Sequence, residues 1–261
     1  MSVANPRLAG SQEFGRIIVV GGGCYGGYYV RQLRRAVTAG AIRCAGVVVV
    51  DRDPRCAVAS DARGDDPLVR VEVAEWRAYF SRALGEAARA GAGRDAIVPS
   101  PLMPHLLRDW LLDAARSRWP DRMVEIAPLP SPPAVPWERS APDGTHYVSF
   151  ATWTCPINCI EPDICPHTRG ARDWSLAPAL RAYAAGLAAA GARAPTPYLF
   201  QCLHRAYGVG MIDVADVVAA DAGIARAGGD GAAVEALIGT VSHCHGAVSL
   251  LRVGPAPTAS G

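Results

Sequence analysis

Apolar positions along this chain recur with two different periods, and the switches between them predict a succession of strands and helices. Ile17 to Val20 are four consecutive branched apolar residues, the mark of a strand buried on both faces. Glycines follow at once, and Tyr28 to Ala39 then carries helix-compatible residues, with Gly40 as a stop signal. A second branched run, Val47 to Val50, ends at Asp51. The unit is roughly thirty residues long, the length of one strand–helix–strand crossover. Val69 to Val73 alternates V-R-V-E-V as a period-two strand, and Glu75 to Ala90 places Trp76, Tyr79, Phe80, Ala83, Leu84 and Ala87 at helical spacing. Ala96 to Val98 predicts another short strand, Leu106 to Arg118 an amphipathic helix, and Met123 to Ala127 a fifth strand. This alternation predicts an α/β fold with a doubly wound parallel sheet.

The pattern breaks at A-P-L-P-S-P-P-A-V-P-W-E-R-S-A-P, where proline density excludes a helix or a central strand. The expected organisation is a loose leader over residues 1–14, a nucleotide-type domain over 15–130 and a Pro-rich connector over 131–150. A Cys/His-rich C-terminal extension over 151–253 and a mobile tail over 254–261 complete it. Within the extension, Trp174 to Gly191 predicts an alanine-rich helix and Tyr198 to Leu203 a strand. Val214 to Ala225 predicts a second helix, and Leu237 to Val253 one or two strands.

Composition narrows the function classes. The chain has 261 residues, half of them apolar, and a formal charge of +2. No basic block or arginine stripe points to nucleic acid. No apolar run approaches the roughly 18 residues that would span a bilayer. The first residues lack a secretory apolar core, so a cytoplasmic location is expected, and a small-molecule substrate with it. In a reducing compartment eight cysteines predict metal or redox chemistry wherever they cluster, rather than a disulfide frame. A homo-oligomeric state is compatible with all of this.

The first candidate site is R-I-I-V-V-G-G-G-C-Y-G-G, Arg16 to Gly27. Gly21, Gly23 and Gly26 occupy G-x-G-x-x-G positions between a predicted strand and helix. A tight turn is wanted there, a β-carbon would hold a pyrophosphate off the backbone, and the helix start offers N–H groups to phosphate. Asp51 lies 25 residues beyond Gly26, near the expected separation of about 20 for an acid that accepts from a ribose. Cys24 and Tyr25 fill the x positions of the loop. Cys24 is either a reactive thiol near a helix start or a small side chain filling space. Arg52, directly after Asp51, would engage a 2′-phosphate, which leaves NAD and NADP both open. His105 closes the loop P-S-P-L-M-P-H and is a candidate acid or base, or a plain helix-start residue.

On these residues the first half resembles the NAD(P)-binding Rossmann superfamily. V-V-V-V-D-R-D-P, Val47 to Pro54, is similar to the TrkA-N type of nucleotide-sensing domain, and the triple glycine is similar, more loosely, to precorrin-2 dehydrogenases. The resemblance implies a pyrophosphate on Gly21, Gly23 and Gly26 and a ribose on Asp51. A Rossmann-like domain without nucleotide is the alternative.

The second candidate site is T-W-T-C-P-I-N-C-I-E-P-D-I-C-P-H-T-R, Thr152 to Arg169. Cys155, Cys159 and Cys165 fall within eleven residues, with His167 two further on, and three prolines bar a regular helix. An irregular loop presenting soft ligands suits zinc through Cys3His, or an iron–sulfur cluster through three thiolates and a fourth ligand from elsewhere. Two further strings, Q-C-L-H-R and S-H-C-H-G, would place Cys202 with His204, and His243 with His245, on one strand face, with Cys244 on the other. His243 and His245 are therefore candidates for ligation or catalysis, while Cys44 and Cys56 are expected in packing. The combined expectation is an NAD(P)-dependent oxidoreductase with a zinc or iron–sulfur centre. The rival is a non-enzymatic nucleotide or metal sensor, or a metal-handling protein, of TrkA-N type.

Overall fold

A computed structural model describes residues 12–61, 66–156, 159–189 and 194–257. The chain is mixed α/β and divides into two compact units, residues 1–100 with 203–215, and residues 101–202 with 216–261. No helix among the described residues is long and apolar enough to cross a membrane.

The first unit opens with β1 (Gln12–Val20), α1 (Cys24–Thr38) and β2 (Ile42–Asp51). It continues with α2 (Ala57–Asp61), β3 (Val69–Val73), α3 (Trp76–Ala90) and β4 (Ala96–Val98). Its strands run β3-β2-β1-β4 in parallel, as three successive crossovers require. Ile17, Val19, Val47 and Val49 share a core with Val30, Leu33 and Ala36 of α1, so the branched runs bury one face under that helix. Ile18, Val20, Val48 and Val50 point to the opposite face and are equally buried. Asp66, just ahead of β3, receives two hydrogen bonds from the Arg34 guanidinium of α1 at 2.9 and 2.6 Å.

The sheet is not parallel throughout. Much later in the chain, β9 (Leu203–Ala206) and β10 (Val209–Asp213) join its β4 edge, and both new pairings are antiparallel. The cause is local. Tyr207 and Gly208 take φ of 44° and 81°, the left-handed pair of a tight hairpin turn, and a two-residue turn admits only antiparallel neighbours.

The second unit holds α4 (Leu106–Arg118), β5 (Val124–Ala127), β6 (Trp137–Ser140), β7 (His146–Ser149), α5 (Leu176–Ala189) and β8 (Thr196–Gln201). From α6 (Val214–Gly228) it takes residue 216 onward, and it ends with β11 (Val234–Val241) and β12 (His245–Val253). Its strand order is β6-β7-β12-β11-β8, parallel only between β8 and β11, with β5 also on β12. Leu176, Ala177, Leu180 and Ala184 of α5 pack on Leu237, Val241, Val148 and Val248.

Several expectations change. Met123 to Ala127 does not become a fifth strand of the first sheet; β5 pairs with Leu250–Val253 of the second. A four-residue strand carries no record of its partner, and the Leu250–Val253 end of β12 supplies one. The connector over 131–150 contains the β6–β7 hairpin after its proline-dense start. The expected strand Tyr198 to Leu203 is two strands that part at Cys202. The leader's last residues, from Gln12, belong to β1, and residues 1–11 lie outside the described residues. The tail is tied as far as Ala256, whose N–H bonds to Gly231 O, while Gly254 N–H bonds to Met123 O.

Candidate functional site

In the first unit α1 begins inside the glycine run, earlier than the sequence pattern suggests, so that Gly23 is its N-cap and Gly26 and Gly27 lie in its first turn. Gly21 takes φ +84°, a conformation that favours glycine, and its N–H bonds to Val50 O at 2.9 Å. A β-carbon on Gly26 would collide with Gly21 O, whereas one on Gly23 would meet no atom within 4 Å. Gly26 is thus required by the turn itself; Gly23 is not. No side chain caps α1; its first intrahelical bond is Gly27 N–H to Gly23 O at 2.8 Å, and the helix N–H groups ahead of it have no intrahelical carbonyl.

Asp51 ends β2 beside this turn. Its Oδ2 accepts the Gly22 N–H at 2.7 Å and its Oδ1 the Asp53 N–H at 2.9 Å. The acid therefore braces the loop and keeps further lone pairs for a hydroxyl donor. Cys24, Tyr25 and Arg52 are exposed at the same turn, while the Cys56 thiol is buried against Gly22. Cys56 and the half-buried Cys44 both pack in this unit's core.

In the second unit the site forms where the loop 151–175 meets the turn between β11 and β12. That turn is Ser242 to Cys244. Ser242 N–H bonds to His245 O, and Ser242 Oγ accepts the Cys244 and His245 N–H groups. Because the segment turns instead of extending, strand alternation fails there. His243 does not pair with His245 on one face. Glu161 fixes the junction: it takes φ +53°, and its carboxylate accepts His243 N–H at 3.0 and 3.1 Å and Cys244 N–H at 3.4 Å. Phe150 N–H to Cys244 O and Leu176 N–H to His243 O, both 2.9 Å, add two backbone ties.

His245 Nε2 lies 3.3 Å from Cys155 Sγ, and its Nδ1 lies 2.9 Å from Ser149 Oγ. Ser149 commits its only proton to Ala151 O at 2.6 Å. Nδ1 must therefore donate to Ser149, which leaves Nε2 bare as the acceptor for the Cys155 thiol. Burial holds His245 below its ordinary pKa and so keeps it neutral, against the opposing pull of Glu161. Burial likewise pushes the Cys155 thiol up to about 11, and neighbouring Cys159, Cys244 and Cys165 push it the same way.

Cys165 behaves oppositely. The Thr168 N–H, more than the opposing effect of desolvation, and then the His167 N–H hold its thiol below the ordinary value. The turn that supplies them is closed by Arg169 N–H to Cys165 O at 2.7 Å, with Arg169 at φ +57°, and by Cys165 N–H to Gly170 O at 2.9 Å. Cys244 Sγ accepts the Trp174 indole N–H at 3.2 Å; burial raises its thiol nonetheless. Trp153 stacks on the His167 ring at 4.5 Å and meets Trp174 edge-on at 6.4 Å. The Trp153 side chain hydrogen-bonds the Cys155 thiol and opposes its upward shift, and Nε of Arg172 is buried with no hydrogen-bond partner among the described residues.

The structure thus sets His245 against Cys155 and puts Cys244 at the adjoining turn, while Cys159 and Cys165 act on the Cys155 thiol through their charge. Cys244 is the residue missed when the H-C-H string is treated as a strand; the legible signal is a short polar string between two apolar runs, which marks a hairpin turn. His167 contributes its N–H to Cys165 while its ring lies on Trp153. His204 lies in the first unit, with Nδ1 2.9 Å from Gly208 O. His105 lies in the second unit at the start of α4, its carbonyl accepting Asp109 N–H and its buried Nδ1 without a partner. Among the described residues no three His, Cys, Asp or Glu side chains are gathered for a single metal ion.

The fold and these two sites define a mixed α/β protein with a glycine turn in one unit and a cysteine cluster in the other. The chain belongs to the AF_1314_C family, described as "Uncharacterized protein, C-terminal domain", whose profile matches residues 107–254, more than half of the chain and all of the cysteine cluster. No curated protein and no solved structure matches it.

Proposed function

We propose that this chain is a dinucleotide-binding protein of the oxidoreductase class, with NAD or NADP on the first unit and a thiolate-rich metal centre, zinc or iron–sulfur, on the second. The carrying observation is the turn from β1 to α1: an uncapped helix start, open space over Gly23, and Asp51 braced at the end of β2. The order β3-β2-β1-β4 supports it, because strand order reverses between β1 and β4 and doubly wound sheets bind ligands at such a reversal. Gly23 and the first turn of α1 would hold the pyrophosphate. Asp51 would accept from a ribose hydroxyl, which favours NAD, while exposed Arg52 is the feature that would admit a 2′-phosphate.

The thiol cluster supports the second half of the reading. Soft sulfur donors held by backbone N–H groups, as Cys165 is, suit a bound metal better than a free thiol. Titration with NADH and with NADPH, followed by intrinsic tryptophan quenching, tests the nucleotide half; no binding at millimolar concentrations overturns it. Oxidation of the bound nicotinamide with ferricyanide as acceptor then separates an enzyme from a sensor of TrkA-N type, which binds without turnover.

A further inference from the structure

The geometry points to Cys155 as a nucleophile, with His245 as its general base, in a site that transfers the acyl group of a carboxylic ester. This goes beyond the oxidoreductase reading. It uses the Cys155 sulfur with its proton, where a metal would need the bare thiolate.

The site is assembled from separate segments. Ser149 ends β7, His245 opens β12, and the two are direct cross-strand partners in the antiparallel ladder, which puts both side chains on one face. Cys155 lies in the loop that follows β7. Ser149 is buried, and its hydroxyl is fully committed: it donates to Ala151 O at 2.6 Å and accepts Ala151 N–H at 2.9 Å. Its remaining lone pair takes the His245 Nδ1–H at 2.9 Å. The imidazole is thereby fixed with its proton on Nδ1, and the Nε2 lone pair faces Cys155 Sγ at 3.3 Å. A nucleophile, its base and a group that orients the base are the parts of a catalytic triad, which is recognised by roles and distances, not by chain order. Cys155 and His245 are both partly exposed, so a substrate from solvent can reach them.

The chemistry follows from that order. As Sγ bonds to the ester carbonyl carbon, the thiol proton passes to His245 Nε2. The bond to the leaving oxygen then breaks, that oxygen takes the proton from Nε2, and the acyl group rests on Cys155 as a thioester. Water adds next with Nε2 again as base, the Sγ–C bond breaks, and the proton returns to sulfur. The sum is ester and water to acid and alcohol. The Glu161 carboxylate, held by the His243 and Cys244 N–H groups, favours the imidazolium formed on the way, and the Trp153 side chain hydrogen-bonds the sulfur. A base that takes a proton and gives it back suits an oxygen leaving group. Disulfide exchange expels a thiolate and has no such need.

The test is incubation of the reduced full chain with p-nitrophenyl acetate in the presence of a chelator, with p-nitrophenolate release followed and the acetyl group located by peptide mapping. The acetyl group should appear on Cys155 ahead of the other cysteines, and Cys155→Ala should abolish that label. His245→Ala should slow release about a hundredfold while keeping the wild-type far-ultraviolet circular dichroism. Should it misfold, His245→Gln, which fills the space without a base, replaces it. Acetyl spread over the cysteines according to their exposure, or unchanged release in the folded His245 variant, overturns the assignment. Zinc binding without acetylation of Cys155 also overturns it and leaves the metal-centre reading standing; acetylation of Cys155 without uptake of zinc or iron does the reverse.

Discussion

Gly23 and Gly26 stand three residues apart in one motif and play different parts. A side chain at Gly23 enters open space at φ −76°, where no strain arises, yet it would occupy the place of a pyrophosphate. Gly23→Ser should therefore leave the fold intact, or stabilise it by about a few tenths of a kcal/mol through N-capping of α1. It should weaken NADH binding at least tenfold, about 1.4 kcal/mol; calorimetric titration beside thermal melts separates the two effects. Gly26→Ala drives a methyl group into Gly21 O. It should lower unfolding free energy by about 1–3 kcal/mol whether or not nucleotide is present, as denaturant titration would report. The glycine pattern was visible in the chain. Which glycine serves the turn and which serves a ligand was not, since that depends on how closely Gly21 O approaches.

At the scale of elements, α1 is anchored toward β3 by Arg34 and Asp66, with side-chain exposures of 33% and 20%. Burial pushes the Asp66 carboxyl up, but the Leu68 N–H and the Arg34 guanidinium together hold it below its ordinary value of 3.8. A carboxyl depressed by folding contributes stability above its unfolded pKa and loses it as the pH falls through the lower folded value. Asp66→Asn should cost about 0.5–1 kcal/mol at pH 7, discounted for solvent exposure, and the gap from wild type should close as the pH drops below 3.8. The β11–β12 hairpin is fixed in the other unit by Glu161. Glu161→Ala leaves the His243 N–H without its acceptor and the Cys244 N–H with Ser242 Oγ alone, a loss of about 1–3 kcal/mol. It should also speed metal loss to a chelator several-fold; Glu161→Gln, which keeps an acceptor oxygen, should recover part of that.

For the molecule as a whole, the two units predict two separate ligand responses. Saturating NADH at a hundred times its dissociation constant should stabilise the nucleotide-bound form by about 2.7 kcal/mol. Hydrogen exchange should then slow in residues 12–61 and leave 151–176 unchanged. Metal loading should slow exchange in 151–176 and 242–246 instead, and chelation should reverse it. Protection spread evenly over both regions by either ligand would contradict separate sites.

Local pattern was enough for β1, the glycine turn, α1, β2 and Asp51, because period and turn chemistry are properties of neighbouring residues. It was enough for the cysteine loop as well, whose prolines forbid regular structure. Strand partners are another matter, since alternation assigns a residue to a face and says nothing of the strand beside it. That is why β5 joins β12, why β9 and β10 return to the first unit, and why the parallel sheet ends at β4. The same reason governs Cys244: only the folded hairpin, held by a carboxylate 83 residues earlier in the chain, sets it beside the loop that carries Cys155.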